Sequence, residues 1–230
     1  KMVRPFFYQG KLATFLANSG HWADMGGRVP GGFSTQATEI YQEGLRLPPL
    51  KLFDRGKLNR EVIEIIRHNV RIADERLGDL LAQVAALNIG AERLGKFLDR
   101  YGADTVFTAI EELHDRSEQL MRSHLETIPD GTYTFEDHID SDGVEWKPLD
   151  LRLEMQVKGT DVHLDFSQSS PPCLGPLNSV LSTTIAGIYI AFKHTFPDVP
   201  INAGCFRPFS HTIPPTTFLH AQHPRPVAGC

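Results

Sequence analysis

An α+β fold is predicted for this chain, and three observations predict it. Two aromatic-rich apolar runs flank Gln9 and Gly10, residues 59–127 carry apolar side chains at helical spacing, and from Gly131 onward apolar and polar residues alternate. The expected order is an N-terminal hairpin with a Gly-rich loop over residues 1–56, a helical block over 57–128, and a mixed or antiparallel strand region with one buried helix over 129–230. All three are read as parts of one larger domain.

The opening MVRPFFYQGKLATFLANSG reads as a hairpin that ends in the turn chemistry of Asn18, Ser19 and Gly20. Gly20 to Pro49 is rich in glycine and proline without a sustained period, and its interleaved Trp22, Phe33, Ile40 and Tyr41 predict a long ordered loop. In NREVIEIIRHNVR, Val62, Ile65, Ile66 and Val70 share a helical face, and Asn59 is placed to cap it. A second helical period resumes after Gly78, and a third helix follows until Pro129 must end it. GTYTFEDHI, LDLRLEMQVKG and DVHLDFSQS are strands, the last two joined by a turn at Lys158, Gly159 and Thr160. SVLSTTIAGIYIAFKHTF is apolar on nearly all sides, which predicts the buried helix, and one short strand is expected near the end.

Composition excludes several function classes. The 230 residues are 41% hydrophobic, enough for a sizeable core, and the formal charge of −5 gives no basic footprint for a nucleic-acid backbone. No run approaches the roughly 20 apolar residues that a membrane span needs. Cys173, Cys205 and Cys230 are odd in number and lack CxxC spacing, so neither a disulfide framework nor a zinc knuckle is indicated. A cytoplasmic protein is expected. The chain opens directly into strand-like sequence and stops without a cap, so it reads as an internal fragment.

Residues 20–32, GHWADMGGRVPGG, concentrate the candidate chemistry. His21 and Asp24 stand three apart on a turn after a strand, and imidazole plus carboxylate is the donor mix that zinc, manganese and iron share. Two donors do not complete a metal site, and a turn-capping role is the alternative. Gly26, Gly27, Gly31 and Gly32 allow positive φ and close backbone approach, so their amides either face an anionic intermediate or simply turn a corner. Ser34, Thr35 and Thr38 add hydroxyls, and Glu39 and Glu43 add carboxylates one turn apart if EIYQEG is helical. Arg67, His68, Asn69, Arg71 and Asp79 crowd polar groups among apolar neighbours, as a salt-bridge set or an anion contact would. Asp137, Asp140 and Asp142 lack the downstream glutamate of a calcium loop. There is no GxSxG, P-loop or GxGxxG, Cys173 and Cys205 read as ordinary thiols, and no catalytic residue is assigned.

Five segments in order, GHWADMGGRVPGGFSTQATEIYQEGLRLPPLKLFDRGKLN, HNVR with LGDLLAQ, IPDGTYTFEDHIDSDG, LDFSQSSPPCLGPLN and PDVPINAGCFRPF, together resemble the hydantoinase B/oxoprolinase family across all 230 residues. The resemblance implies a B-type subunit of an ATP-dependent cyclic-amide hydrolase. In such enzymes an A-type partner phosphorylates a carbonyl oxygen of the substrate with Mg-ATP, and the B-type subunit receives the activated species. A hetero-oligomer is therefore implied, with a small cyclic amide as substrate. His21 and Asp24 match the family's HxxD metal pair, with a divalent zinc or manganese ion as cofactor, and Gly26, Gly27, Gly31, Gly32 and Ser34 would line the pocket. EIYQEGLRLPP resembles the hydantoinase side more than the carboxylase side. Two alternatives remain open: the alpha subunit of an acetone- or acetophenone-type carboxylase, and a scaffold without a competent metal centre. The family's preceding histidine-bearing segment and its long C-terminal portion have no counterpart in these residues, nor does a further histidine lie between Asp24 and His68.

Overall fold

The structure is a computed structural model that describes residues 1–228. Its backbone divides into two compact units, Lys1–Gly32 with Gly44–Thr108, and Phe33–Glu43 with Ala109 onward.

In the first unit, β1 (Met2–Tyr8) pairs antiparallel with β2 (Lys11–Asn18) around Gln9 and Gly10, both at positive φ as a two-residue hairpin turn requires. The register shifts between Phe6 and Phe7, so Phe6 faces Thr14 and Phe7 faces Leu12. A two-stranded ribbon is marginal alone. Here it is held by α2 (Ala73–Tyr101), whose Ala91 and Leu98 enclose Phe6, with Leu16 and Tyr8 packed alongside. Gly90 and Gly95 lie on the face of the helix turned to the ribbon, where a methyl would meet Leu16 or Phe6 at ordinary contact distance. The helix begins at Ala73, ahead of the start expected after Gly78, and runs through its glycines.

Ahead of it lies α1 (Arg60–Asn69), capped as expected by Asn59, whose side-chain oxygen accepts from the amides of Glu61 and Val62. Val62 and Ile66 of α1 and Leu80 of α2 form a second cluster, against which Trp22 and Leu45 pack. The two helices are broken apart by Ile72 in the left-handed region at φ 54, a strained place for a β-branched residue. A small hairpin absent from the sequence expectation, β3 (Phe53–Asp54) with β4 (Lys57–Leu58), turns on Arg55 and Gly56.

The second unit takes most of α3 (Ala103–Leu125) and a four-stranded sheet. Its strands β5 (Gly131–Ile139), β6 (Leu149–Lys158), β7 (Asp161–Asp165) and β8 (Phe209–Thr212) lie side by side in that order. The first three are antiparallel and β8 joins β7 in parallel, so the sheet is mixed. The connection from β7 to β8 contains α4 (Leu181–Thr195), as a parallel pairing needs a long crossover. Leu149, Val157, Val162 and Leu164 point to one core with Met121 and Leu125 of α3 and Ile188 of α4. The expectation of a fully enclosed α4 needs correction. Leu181, Ile185, Tyr189 and Phe192 are only partly buried against this core, and Ile190 is 55% exposed. One stripe of the helix suffices to cover the sheet. Among the described residues no helix is long and apolar enough to cross a membrane.

Candidate functional site

The loop after β2 is organised by one carboxylate. Asp24 is 5% exposed, and its Oδ1 accepts from the amides of Gly26 at 2.7 Å and Arg71 at 3.1 Å. Its Oδ2 accepts from the amide of Gly31 at 2.9 Å and from the Arg71 guanidinium at 3.0 Å. That guanidinium also donates to the carbonyls of Gly27, at 2.9 Å, and Val29, at 3.2 Å. Residues 24–31 are thereby closed over a single ion pair. Burial alone would push the Asp24 carboxyl up, but the amides of Gly31, Gly26 and Arg71, with the guanidinium, hold it far below the ordinary carboxylate range. Gly26 sits at φ 81 with its α-carbon against the Asn69 carbonyl, so any Cβ there would overlap that oxygen. This is where the chain must have glycine.

His21 lies three residues upstream, exposed, with no hydrogen bond or ion pair among the described residues. A carboxylate offers about four acceptor positions, and all four of Asp24 are filled by the donors just named. Among the described residues no group of three His, Cys, Asp or Glu side chains is placed to hold a metal ion. A catalytic zinc site takes three protein donors, so the residues present do not by themselves fit a divalent ion. Of the expected pair, His21 alone is open.

The glycines divide likewise. The amides of Gly26 and Gly31 point inward to Asp24, and that of Gly32 donates to the Val29 carbonyl at 3.2 Å. They turn the corner and do not offer themselves to an anion. Gly27 is exposed, with its carbonyl on Arg71. Ser34 falls in the second unit. It is 6% exposed, its hydroxyl accepts from the Gln36 amide, and it lines a cavity of about 410 Å³ with Phe33, Thr35, Trp146, Pro176 and Leu177.

The remaining candidates settle into structural roles. Glu39 and Glu43 do not share a helical face, because only Ile40–Gln42 is helical, as a single 3₁₀ turn; the Glu43 carboxylate accepts from the amides of Val227 and Ala228. Arg67 pairs with Asp74, His68 with Glu64, and Asp79 with Arg76, so of that polar set Arg71 is the one that reaches the loop. Asp142 is 2% exposed and accepts from the amides of Val144, Glu145 and Gly175. Cys173 and Cys205 are buried thiols outside any disulfide, and Cys230 lies outside the described residues. Sequence reasoning missed the bond between Arg71 and Asp24, 47 residues apart; the one signal was that HNVR belongs to the stretches carrying the family resemblance.

An α+β frame with a carboxylate-stapled glycine loop, met at these positions, defines the class. The chain belongs to the hydantoinase B/oxoprolinase family, whose profile matches residues 1–230. It is 35% identical to the caprolactamase subunit beta of Pseudomonas jessenii over 232 aligned positions, covering 100% of this chain and 40% of that one. The solved ATP-dependent caprolactamase from that organism superposes with a TM-score of 0.90 over 99% of this chain and 40% of its own. The 5-oxoprolinase of Dictyostelium discoideum is 27% identical over 99% of this chain and 18% of its own length. A nucleotide-free acetone carboxylase shares the fold, at a TM-score of 0.89 and 18% identity over 99% of this chain and 32% of that one. The chain thus spans well under half the length of the relatives it matches.

Proposed function

We propose that this chain forms part of the B-type subunit of an ATP-dependent cyclic-amide hydrolase. An A-type partner would phosphorylate a carbonyl oxygen of the ring with Mg-ATP; the B-type subunit would direct water onto the activated carbon and open the C–N bond to an amine and an acyl phosphate, and a second water would release phosphate and leave the ring-opened acid. The observation that carries this reading is the 35% identity and 0.90 TM-score to an ATP-dependent caprolactamase across essentially the whole chain. The carboxylase fold match, at 18% identity, supports the fold alone.

Ring opening needs a proton taken from water and a proton given to the departing ring nitrogen. An imidazole can do both. His21 is the exposed imidazole of the candidate loop, and Asp24 with Arg71 holds the backbone behind it. If the assembled enzyme carries a zinc or manganese ion here, His21 is the donor this loop supplies, because Asp24 has no acceptor position left.

The test is product analysis on the native complex that contains this chain. Supplied with ATP and a lactam, a hydantoin or 5-oxoproline, it should release ADP, phosphate and the ring-opened acid. ATP-driven incorporation of labelled bicarbonate into a ketone, with no ring opening, would replace this reading with the carboxylase one. Neither reaction from an intact complex would leave the chain as a scaffold.

A further inference from the structure

We infer that Gln83, the eleventh residue of α2, is a positioning residue for His21. The inference rests on His21 being the reactive group of the loop. LGDLLAQ, one of the segments behind the family resemblance, ends at Gln83, whose side chain has no role in what precedes. In the structure its last residue reaches back to the exit of β2. The Gln83 amide nitrogen donates to Asn18 Oδ1 at 3.1 Å, and the Gln83 backbone carbonyl accepts from Asn18 Nδ2 at 2.9 Å. Gln83 Oε1 accepts from the indole nitrogen of Trp22 at 3.2 Å. Gly20 lies flat on the same amide head, so close that a Cβ there would stand 2.8 Å from the Gln83 amide carbon.

The residues on either side of His21 are therefore both seated on one side chain. The primary amide donates to Asn18 and accepts from Trp22 at once. A carboxylate keeps the Trp22 acceptor and loses the donor; a thioether loses both. Beyond Trp22, Asp24 and Arg71 pin the next segment. His21 is the exposed side chain of a stretch clamped before and after it, as a group that must meet a substrate in one geometry requires. A hairpin end with no task would not need its neighbours held on both sides.

The experiment uses the assembled enzyme carrying Gln83→Met, Gln83→Glu or His21→Ala, with steady-state ring opening and hydrogen exchange of the segment 18–23 read together. Gln83→Met should lower kcat about 10-fold to 100-fold with KM unchanged, and exchange in that segment should accelerate by about 10-fold or more. Gln83→Glu, which keeps the Trp22 acceptor, should recover part of both. Should Gln83→Met fail to fold, Trp22→Phe removes a single one of these bonds and should cost kcat about threefold, again at constant KM. An unchanged kcat in Gln83→Met, beside a large loss in His21→Ala, would overturn the positioning role and leave the reading of His21 standing. Full activity in His21→Ala would overturn the reading of His21 and the positioning claim with it.

Discussion

Asp24 in the first unit and Asp142 in the second are both nearly enclosed, at 5% and 2% exposure, and each holds a glycine-bearing loop by accepting from backbone amides. In both, burial would raise the carboxyl and the amides more than reverse it. They differ in what completes the shell. Asp24 receives three amides and the Arg71 guanidinium, while the hydrogen bonds to Asp142 come from the amides of Val144, Glu145 and Gly175. They differ also in what the loop presents: an exposed imidazole at His21 in one, a 91% exposed indole at Trp146 in the other. A buried aspartate in a glycine-rich loop is thus a folding device in both places. In the function proposed above, what separates the two loops is the side chain each leaves exposed.

The comparison can be broken by removing each carboxylate. Asp24→Ala should cost the most, about 3 kcal/mol in a urea unfolding midpoint, because it leaves three amides and a guanidinium without their acceptor; the exposure of Arg71, 42% at its side chain, keeps the loss at the lower end. Asp142→Ala, which strands amides alone, should cost about 2 kcal/mol in the same measurement. If the second loss exceeded the first, Arg71 would contribute nothing to its loop.

The backbone sharpens the contrast further. Gly26→Ala places a methyl into the Asn69 carbonyl at φ 81 and should cost about 2 kcal/mol or more, whereas Gly10→Ala, at φ 77 with open space around it, should cost about 1 kcal/mol from the left-handed conformation alone. The smallest expected effect is in acid. The folded carboxyl of Asp24 is held below its ordinary value, so the unfolded chain takes up that proton first. Its contribution to stability is fully present above the unfolded value of about 3.9 and is lost as pH falls towards the folded one. Asp24→Asn should flatten the decline in unfolding free energy below about pH 4 and leave the slope at neutral pH as it was.

Much of this fold was legible because its signals are local. The Gln9–Gly10 turn, the Asn59 cap, the alternation in LDLRLEMQVKG and the apolar period of α2 each follow from residues a few positions apart. The start of α2 was not, since the break before it rests on Ile72 in a conformation its side chain disfavours, which no propensity predicts. Nor could periodicity show that α4 would cover its sheet along one stripe with Ile190 left out. The candidate loop was found by its composition, while its wiring was hidden. HxxD spacing says that an imidazole and a carboxylate are near each other, and nothing about where the carboxylate's lone pairs go. Those are settled by Arg71, 47 residues along the chain, and the backbone on either side of His21 by Gln83, 61 residues from Trp22.

The central claim is that His21 carries chemistry and Asp24 carries structure. Ring opening by the assembled enzyme, measured beside its unfolding midpoint, tests it in one pair of variants. His21→Ala should lower kcat by about 100-fold or more while moving stability by less than about 0.5 kcal/mol. Asp24→Asn should lower stability by more than His21→Ala does, with the surviving folded fraction losing less turnover than His21→Ala. A His21→Ala enzyme that turns over at the normal rate, or an Asp24→Asn enzyme that is fully stable and inactive, would contradict the account.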